Sequence, residues 1–490
     1  MLVREQAAVS HGWGVGAERC WFLAKTGRDS FATDSHVVLL PLCPPHARES
    51  VPAADVRPHG DRLLGGGPSQ RAMFGLRIAA LAALLGPAAA WACTSDASCQ
   101  LNGLCVAGKC RCDPQWLGQN CSTLNLGASA AAYSGMQSKT STWGGHPVWD
   151  PKTKLWHGYF AEMSHHCTLS DWTTNSMTVH ATSPNASGPF VFRDIVQNAW
   201  SHNPLVSVDP ASGEIFIAHI GCGKMPAGAH ARNCSAGAAE RTPEEEAAAA
   251  GAPPCGCPVP YQGIPCQTLQ VLRSSSFSGP WTDATIAWPL LNASLWPSSL
   301  SNPSLLLEET GALMAFNGNL APPMNHGPTS HAGLMVSRSG KVEGPWDLVN
   351  VSRDPSTGVT RHFLDDESPG TGGRCEDEDL YRDHRGYLHL ISHCFYDKFP
   401  GGHGWTTDKT GASGWEFSQQ PAYTFAAHLN GQDVRLGQRE RPQVVLQNGQ
   451  LTHLYNGARG PKGNPNPDGD TFNMVTEICS KGPAVGGVCP

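Results

Sequence analysis

Charge is scarce in this 490-residue chain: only 15% of the residues are Asp, Glu, Lys or Arg, and the formal net charge is −7. No run of Lys and Arg stands out, which argues against a nucleic-acid partner. Long hydrophobic runs are lacking too, because the apolar stretch that starts at Met73 ends by Leu85, short of the ~20 residues that span a bilayer. With 54 Gly and 39 Pro, the composition predicts a loop-rich β protein with residues enough for a sizeable core.

The apolar stretch has the layout of a secretory signal peptide. It follows a short basic segment and precedes Ala90-Trp91-Ala92, an A-x-A cleavage site directly before Cys93. We therefore expect residues 73–92 to be a signal peptide and the protein to be secreted, with a membrane anchor formed by the same residues as the alternative. Residues 1–72 show no periodicity and are predicted to be a disordered tail or an extension of the gene model.

Cysteine usage agrees with secretion. Without Cys20 and Cys43, which precede the signal segment, 16 of the 18 cysteines remain, an even number that suits a disulfide framework. Six of them fall within 29 residues and end in the pattern C-x-C-x3-W-x-G-x2-C: Cys93, Cys99, Cys105, Cys110, Cys112 and Cys121. This segment resembles an EGF-like module over residues 93–122. The resemblance implies the pairs Cys93–Cys105, Cys99–Cys110 and Cys112–Cys121, and an extracellular protein partner for the module.

Glycosylation signals occur along the chain. Asn185, Asn292 and Asn350 start N-x-S sequons and are predicted to be glycosylated. Asn120 and Asn233 also start sequons but have Cys at the middle position, so they are weaker acceptors.

Residues 123–490 repeat one unit five times. Each copy contains a polar residue, Pro, a short apolar strand, a turn and a second strand, and phrases such as FSGPW at 277–281 recur downstream. The copies begin at His146-Pro147, Asn203-Pro204, Asn302-Pro303, Asp377-Glu378 (Glu in place of Pro) and Arg441-Pro442. Four short strands repeated radially predict a five-bladed β-propeller, so the fold class is all-β: a small disulfide-rich module followed by the propeller. Residues 122–145 are expected to supply an outer or closing strand.

Two further predictions concern disulfide bonds within the repeats. The hairpin that turns at Arg385 brings Cys375 opposite Cys394, which predicts a disulfide between them. The insertion at 221–267 contains five cysteines, so we expect one of them to reach Cys167, Cys479 or Cys489. The other pairings stay open.

The repeat starts indicate a binding pocket. In a propeller the first strand of every blade lines the central channel, so side chains at the five starts point at one opening. The residues predicted to bind a ligand there are His146, His202, Asn203, Asn302, Arg374, Arg439, Arg441 and Trp143, and the predicted catalytic carboxylates are Glu376, Asp377 and Glu440. Carboxylates combined with His, Arg and Trp suit a sugar, because glycoside hydrolysis needs two carboxyl groups.

The segment E-D-x-D-L-Y-x-D-x-x-G-Y-L-H-L and the GPW phrases resemble family-43 glycoside hydrolases and their invertase-like relatives. The resemblance implies that Glu376 is the general acid, and it places the base at His146 and the residue that tunes its pKa at Asn302. Neither of these two residues is a carboxylate. It also implies a calcium ion in the channel, with His389 as a neighbour. No other metal and no cofactor is predicted.

Two functions remain open, each with carbohydrate as the partner. In the first, the protein is a glycoside hydrolase: Glu376 donates a proton and Asp377 or Glu440 acts as base or nucleophile. The histidines then bind the sugar, and Arg439 and Arg441 bind an acidic group on it. In the second, the pocket binds a glycan without cutting it, and the protein is an adhesin or matrix component. A receptor-type propeller without a sugar in its pocket is a third class.

Overall fold

The structure is a computed structural model. It describes residues 92–136, 140–223, 231–234, 269–286, 297–320, 330–349, 352–353, 360–361, 375–396, 399–460 and 471–490. Residues 1–91, with nearly all of the predicted signal peptide, lie outside the described residues, and so do Arg374, Asn292 and Asn350. No helix in the described segments is long and apolar enough to cross a membrane.

The chain segment 93–122, called here the N-terminal module, contains little regular structure. Its elements, with the two strands that follow it, are a 3-10 helix (Asp96–Cys99), β1 (Gly103–Val106), β2 (Lys109–Cys112), β3 (Trp116–Leu117), β4 (Thr123–Leu124) and β5 (Leu126–Tyr133). Three disulfides cross-link it, Cys93–Cys105, Cys99–Cys110 and Cys112–Cys121. These are the pairs that the resemblance implies, and they offset the small core that so short a segment can bury.

Five blades follow, and in the first four of them, four consecutive strands form an antiparallel sheet. Blade I is β6 (Thr142–Asp150), β7 (Leu155–Met163), β8 (Ser176–Ser183) and β9 (Val191–Gln197). Blade II is β10 (Ser201–Val208), β11 (Ile215–Gly221), β12 (Leu269–Ser274) and β13 (Thr282–Asp283). Blade III is β14 (Pro297–Glu308), β15 (Gly311–Leu320), β16 (Ser330–Ser337) and β17 (Trp346–Leu348). A two-stranded sheet, β18 (Ser352–Arg353) and β19 (Thr360–Arg361), precedes blade IV, which is β20 (Cys375–Arg382), β21 (Leu388–Tyr396), β22 (Phe399–Thr406) and β23 (Glu416–Phe417).

Blade V is completed from both parts of the chain. After the hairpin β24 (Ala426–Leu429) and β25 (Gln432–Arg435) come β26 (Gln438–Gln447), β27 (Gln450–Arg459) and β28 (Phe472–Ile478). Strand β5 pairs antiparallel with β28 and supplies the fourth strand of this blade. The innermost strands β6, β10, β14, β20 and β26 contact one another in that order, and β26 contacts β6, so the ring is closed. The five-bladed all-β prediction is confirmed, and residues 122–145 do contain a closing strand.

Helical structure within the described segments outside the N-terminal module is confined to one place. Between β7 and β8 lie 3-10 turns at Ser164–His166 and Leu169–Asp171 and a short helix, α1 (Trp172–Asn175). The disulfide Cys167–Cys234 joins this connection to the insertion after β11. One cysteine of the insertion therefore reaches Cys167, as parity indicated.

Apolar side chains fill the space between blades. The tryptophans of two GPW-like phrases, Trp346 and Trp415, are buried there. The indole N–H of each donates to a main-chain carbonyl four residues earlier, at 2.8 Å for Trp346 and 2.9 Å for Trp415. Blade packing and not ligand contact therefore explains this recurring phrase.

The N-terminal module is packed firmly against the propeller. Trp116 is 5% exposed and belongs to the same apolar cluster as Tyr381 of blade IV and Tyr423, which follows that blade. Arg385, at the β20–β21 turn, donates to the carbonyl oxygens of Leu101 and Gly103 and pairs with Asp113 of the module at 2.7 Å. The module is therefore an integral part of the structure that supports blade IV.

Candidate functional site

Each innermost strand is irregular at the same level. The pairing register shifts there in every blade, and one residue takes a left-handed backbone conformation. These residues are Gly144 (φ 45°), Asn203 (53°), Asn302 (50°), Asp377 (65°) and Arg441 (50°). A β-bulge re-aims the side chains beside it, and these five positions form what we call the bulge ring.

Contacts between neighbouring blades hold the bulge ring together. The Asn203 amide donates to Oδ1 of Asn302 at 2.8 Å, and Nη1 of Arg441 donates to Oδ1 of Asp377 at 3.2 Å. A Cβ atom built on Gly144 would lie 3.3 Å from Cγ of Arg441 and 3.4 Å from Oδ1 of Asn203. Gly144 therefore occupies the fifth position of the ring, without a side chain.

The sequence repeats align His146 with Asn203, and this alignment is wrong. In blade I the bulge falls at Gly144, so His146 lies beyond it and pairs with Tyr159 across the sheet. Burial lowers the pKa of His146 to about 4, with a further contribution from the charge of Arg441. The residue at this position is thus a buried, neutral imidazole.

Three carboxylates and one histidine form a group that we call the acidic cluster: Glu376, Asp377, His393 and Glu440. One ligand atom from each lies within 4.8 Å of those from the other three. Nδ1 of His393 is 4.0 Å from Oε1 of Glu376 and 3.8 Å from Oδ2 of Asp377, and its Nε2 is 3.9 Å from Oε1 of Glu440. The three predicted catalytic carboxylates therefore meet around one imidazole ring.

Exposure separates the members of the acidic cluster. The side chains of Glu376 and Glu440 are 23% and 20% exposed, whereas those of Asp377 and His393 are 3% and 4% exposed. A ligand entering from solvent meets the two glutamates first.

Burial and mutual repulsion favour the protonated form of one glutamate. Desolvation raises the pKa of Glu376 well above its usual value, and the charges of Asp377 and Glu440 raise it further. Desolvation also raises the pKa of Glu440, while the nearby His393 opposes this shift. A carboxyl group that holds its proton near neutral pH is suited to general acid catalysis.

Another carboxylate lies deeper along β20. Asp379 accepts hydrogen bonds from the Val444 main-chain N–H at 2.7 Å and the Ser304 hydroxyl at 3.2 Å. Burial raises its pKa to about 7. Its partners belong to blades III and V, so Asp379 ties three innermost strands together.

Two predicted ligand-binding residues, Arg439 and Trp143, are buried and have partners within the protein. Arg439 is fully buried: its guanidinium donates to Oδ1 of Asn456 at 3.0 Å and to the carbonyl oxygens of Thr424 and Ala426 at 3.0 and 3.1 Å. Trp143 is 3% exposed and packs in an apolar cluster of blade I, so its ring face is not free to stack on a sugar.

His202 is likewise enclosed. Its Nδ1 is 2.7 Å from the Ser176 hydroxyl, and its ring stacks on Trp172 with 4.9 Å between the ring centroids. Burial lowers its pKa well below the usual value. It lies between blades I and II as a neutral residue.

Sequence reasoning did not select two residues at the opening, His393 and Phe395. The strand register that places Cys375 opposite Cys394, where the disulfide is present, also places Glu376 opposite His393. Phe395 is 52% exposed, and the edge of its ring meets His393 at a centroid distance of 4.8 Å and an angle of 65°. The hairpin register was the signal that could have identified His393.

The resemblance implies His389 as the neighbour of a calcium ion, and the structure gives this side chain partners within the protein. Its Nδ1 is 3.1 Å from Nε2 of His403, and its Nε2 is 3.6 Å from Asp383. The ring also stacks on Tyr381 with 5.1 Å between centroids. His389 is thus enclosed within blade IV. The acidic cluster, in contrast, has the donor atoms for a cation.

No family model and no curated protein matches this sequence. Similar solved structures include a family 117 glycoside hydrolase of the marine bacterium Zobellia galactanivorans, with 11% identity, a TM-score of 0.41, and coverage of 73% of this chain and 91% of that one. A thermostable family-43 glycoside hydrolase has 10% identity, a TM-score of 0.41, and coverage of 69% and 89%. The catalytic domain of a family-62 α-L-arabinofuranosidase from Coprinopsis cinerea has 8% identity, a TM-score of 0.44, and coverage of 73% and 98%. Values this low establish no shared activity, and the propeller assignment rests on the strand pairings.

Proposed function

We propose that this protein is a secreted glycoside hydrolase in which Glu376 is the general acid and Glu440 its partner carboxylate. The observation that carries the proposal is that these two partly exposed carboxylates lie together, over buried charged residues, at the opening of the bulge ring. Asp377 is a weaker candidate for the partner role, because it is buried and both of its oxygens accept hydrogen bonds from Arg441.

The proposed reaction proceeds in two steps. Glu376 gives its proton to the glycosidic oxygen as the C–O bond breaks, and Glu440 forms an ester with the anomeric carbon. Water then attacks that carbon, returns its proton to Glu376 and releases Glu440. The closest oxygens of the two groups lie within 4.8 Å, nearer to the ~5–5.5 Å of retaining enzymes than to the ~6.5–9.5 Å of inverting ones.

The electrostatics favour a neutral sugar. Arg439 is enclosed in blade V. Among the described arginines, Arg441 pairs with Asp377, and the charge of Arg459 acts on Glu440. The three carboxylates of the acidic cluster thus outnumber these two arginines, and an excess of negative charge remains. An acidic sugar would therefore meet repulsion here, whereas the hydroxyl groups of a neutral sugar would find several acceptors.

A direct test is hydrolysis of plant and algal polysaccharides by the full-length protein from a secretory host, with Glu376→Gln beside it. We expect sugar release that the substitution lowers by at least about 10³-fold, because the proton donor is lost. The matched control is Glu308→Gln, which removes a carboxylate that pairs with Arg382 outside the acidic cluster. Equal rates in the wild type and Glu376→Gln would contradict the assignment of the acid.

The alternative is a propeller that binds a glycan without cutting it. One observation favours it: the blade I position of the bulge ring is Gly144, which has no carboxylate. Binding on a glycan array by both the wild type and Glu376→Gln, with no release from any substrate, would support this alternative.

A further inference from the structure

We infer that the acidic cluster is a divalent-cation site, formed by Glu376, Asp377, His393 and Glu440. This inference does not depend on the proposed hydrolysis, because binding of a cation is measured without any sugar. Its two supports are an unpartnered, deeply buried imidazole nitrogen and an excess of negative charge around it.

The nitrogen is Nδ1 of His393. The side chain is 4% exposed, yet this atom has no hydrogen-bond partner in the described structure, and it faces the oxygens of Glu376 and Asp377 at 4.0 and 3.8 Å. A buried polar atom without a partner destabilises the folded protein. A metal ion between the nitrogen and those oxygens would satisfy it.

The distances suit such an ion. Metal–ligand bonds of about 2.0–2.6 Å place ligands on opposite sides of an ion about 4–5 Å apart. The donor atoms of the acidic cluster lie within 4.8 Å of one another, so small side-chain shifts would bring all four to bonding distance.

The charge also suits it. Three carboxylates, Glu376, Asp377 and Glu440, face two guanidinium groups: Arg441 pairs with Asp377, and the charge of Arg459 acts on Glu440. With all three ionised the cluster keeps a net negative charge, which a divalent cation that displaces the proton of Glu376 would offset. Carboxylate oxygens with one imidazole suit Mn²⁺ or Zn²⁺ better than Mg²⁺, which prefers oxygen ligands and keeps its water.

The two glutamates are the partly exposed members, so a cation held here keeps an open side towards solvent. A ligand on that side, such as a pair of sugar hydroxyl groups, could complete the coordination. A Glu376 that ligates the ion has no proton to donate, so the cation-loaded protein should hydrolyse glycosides more slowly than the metal-free protein.

The test uses full-length protein stripped with a chelator and titrated with Mn²⁺ alone, with free Mn²⁺ measured by electron paramagnetic resonance. We expect one Mn²⁺ per chain, and at least tenfold weaker binding in both His393→Gln and Glu440→Gln. The matched control is His428→Gln, because His428 pairs with Asp433 at 2.8 Å away from the acidic cluster. This control should bind Mn²⁺ like the wild type.

Thermal unfolding of each metal-free variant shows whether it folds, and Glu440→Gln keeps the size of the side chain should His393→Gln fail. The absence of stoichiometric Mn²⁺ binding, or equal binding in the wild type and both variants, would overturn the inference. Mn²⁺ binding without glycoside hydrolysis would sustain the cation site and remove the hydrolase. Hydrolysis without Mn²⁺ binding would sustain the hydrolase and overturn the cation site.

Discussion

Arg441 holds Asp377 through two different groups. Its main-chain N–H donates to Oδ2 at 3.1 Å, and its guanidinium Nη1 donates to Oδ1 at 3.2 Å. Each residue stands at the bulge of its own blade and follows a glutamate of the acidic cluster directly in sequence, Asp377 after Glu376 and Arg441 after Glu440. The pair between blades IV and V therefore fixes the spacing of the two proposed catalytic carboxylates.

Removal of one partner from this pair should be costly. Both side chains are at most 3% exposed, so Arg441→Met leaves a buried carboxylate without its cation, and we expect a loss of about 3–5 kcal/mol in the free energy of unfolding. Urea denaturation measures it. Arg338→Met is the matched control, since the Arg338–Asp347 pair is largely exposed and should matter little. Similar losses in the two variants would contradict a buried role for Arg441.

Acid should weaken the protein through buried histidines, of which His219 in blade II is fully enclosed. Burial lowers its pKa from 6.5 to about 4. Below pH 6.5 His219 is protonated in the unfolded chain but stays neutral in the folded protein. The stability that depends on this residue is therefore complete above pH 6.5 and is lost as the pH falls towards 4. The loss is on the order of 3 kcal/mol.

The measurement is the free energy of unfolding from pH 7 to 4 in the wild type and in His219→Gln. We expect the wild type to lose more stability over this range than the variant. The two proteins must be compared because burial raises the pKa of Asp379 to about 7. The contribution of Asp379 to stability therefore grows as the pH falls, in the wild type and in the variant alike. Parallel curves would show that His219 titrates normally in the folded state.

Phe395 should contribute to sugar binding by stacking. It is 52% exposed beside His393, so Phe395→Ala should leave the unfolding temperature nearly unchanged. We expect about tenfold weaker binding, or a tenfold higher KM with kcat retained, which corresponds to ~1.4 kcal/mol. Trp149→Ala serves as the control, because Trp149 is 41% exposed on the blade I hairpin and packs on Trp156. An unchanged KM for Phe395→Ala would remove the stacking role.

The disulfide Cys375–Cys394 should contribute more to function at the acidic cluster than to the stability of the fold. It joins paired residues of β20 and β21 directly beside Glu376 and His393. Replacing both cysteines by Ala should cost about 2–4 kcal/mol of stability and should lower activity or glycan binding further than the same change at Cys479–Cys489. Equal functional losses in the two double variants would show that the effect comes from stability alone.

The sequence was informative where a repeat carried the information. The recurring Pro-strand-turn-strand unit predicted five blades, and the hairpin register predicted the Cys375–Cys394 disulfide. It was misleading where one copy departs from the others: a glycine, Gly144, takes the bulge in blade I, and the Pro that marks the unit stands two residues later than the bulge requires. Burial cannot be read from the local sequence pattern either. The sequence therefore could not distinguish Arg439, which blade V carbonyls enclose, from Arg441, which reaches the acidic cluster.

Strand β5 has a consequence for how the protein is made. It pairs with β28, and more than 330 residues separate Tyr133 from its partner Asn473 in the register. During translation β5 is therefore synthesised early and β28 late, so the ring of blades cannot close until synthesis is almost complete. Throughout that interval β5 offers an unpaired edge to other chains.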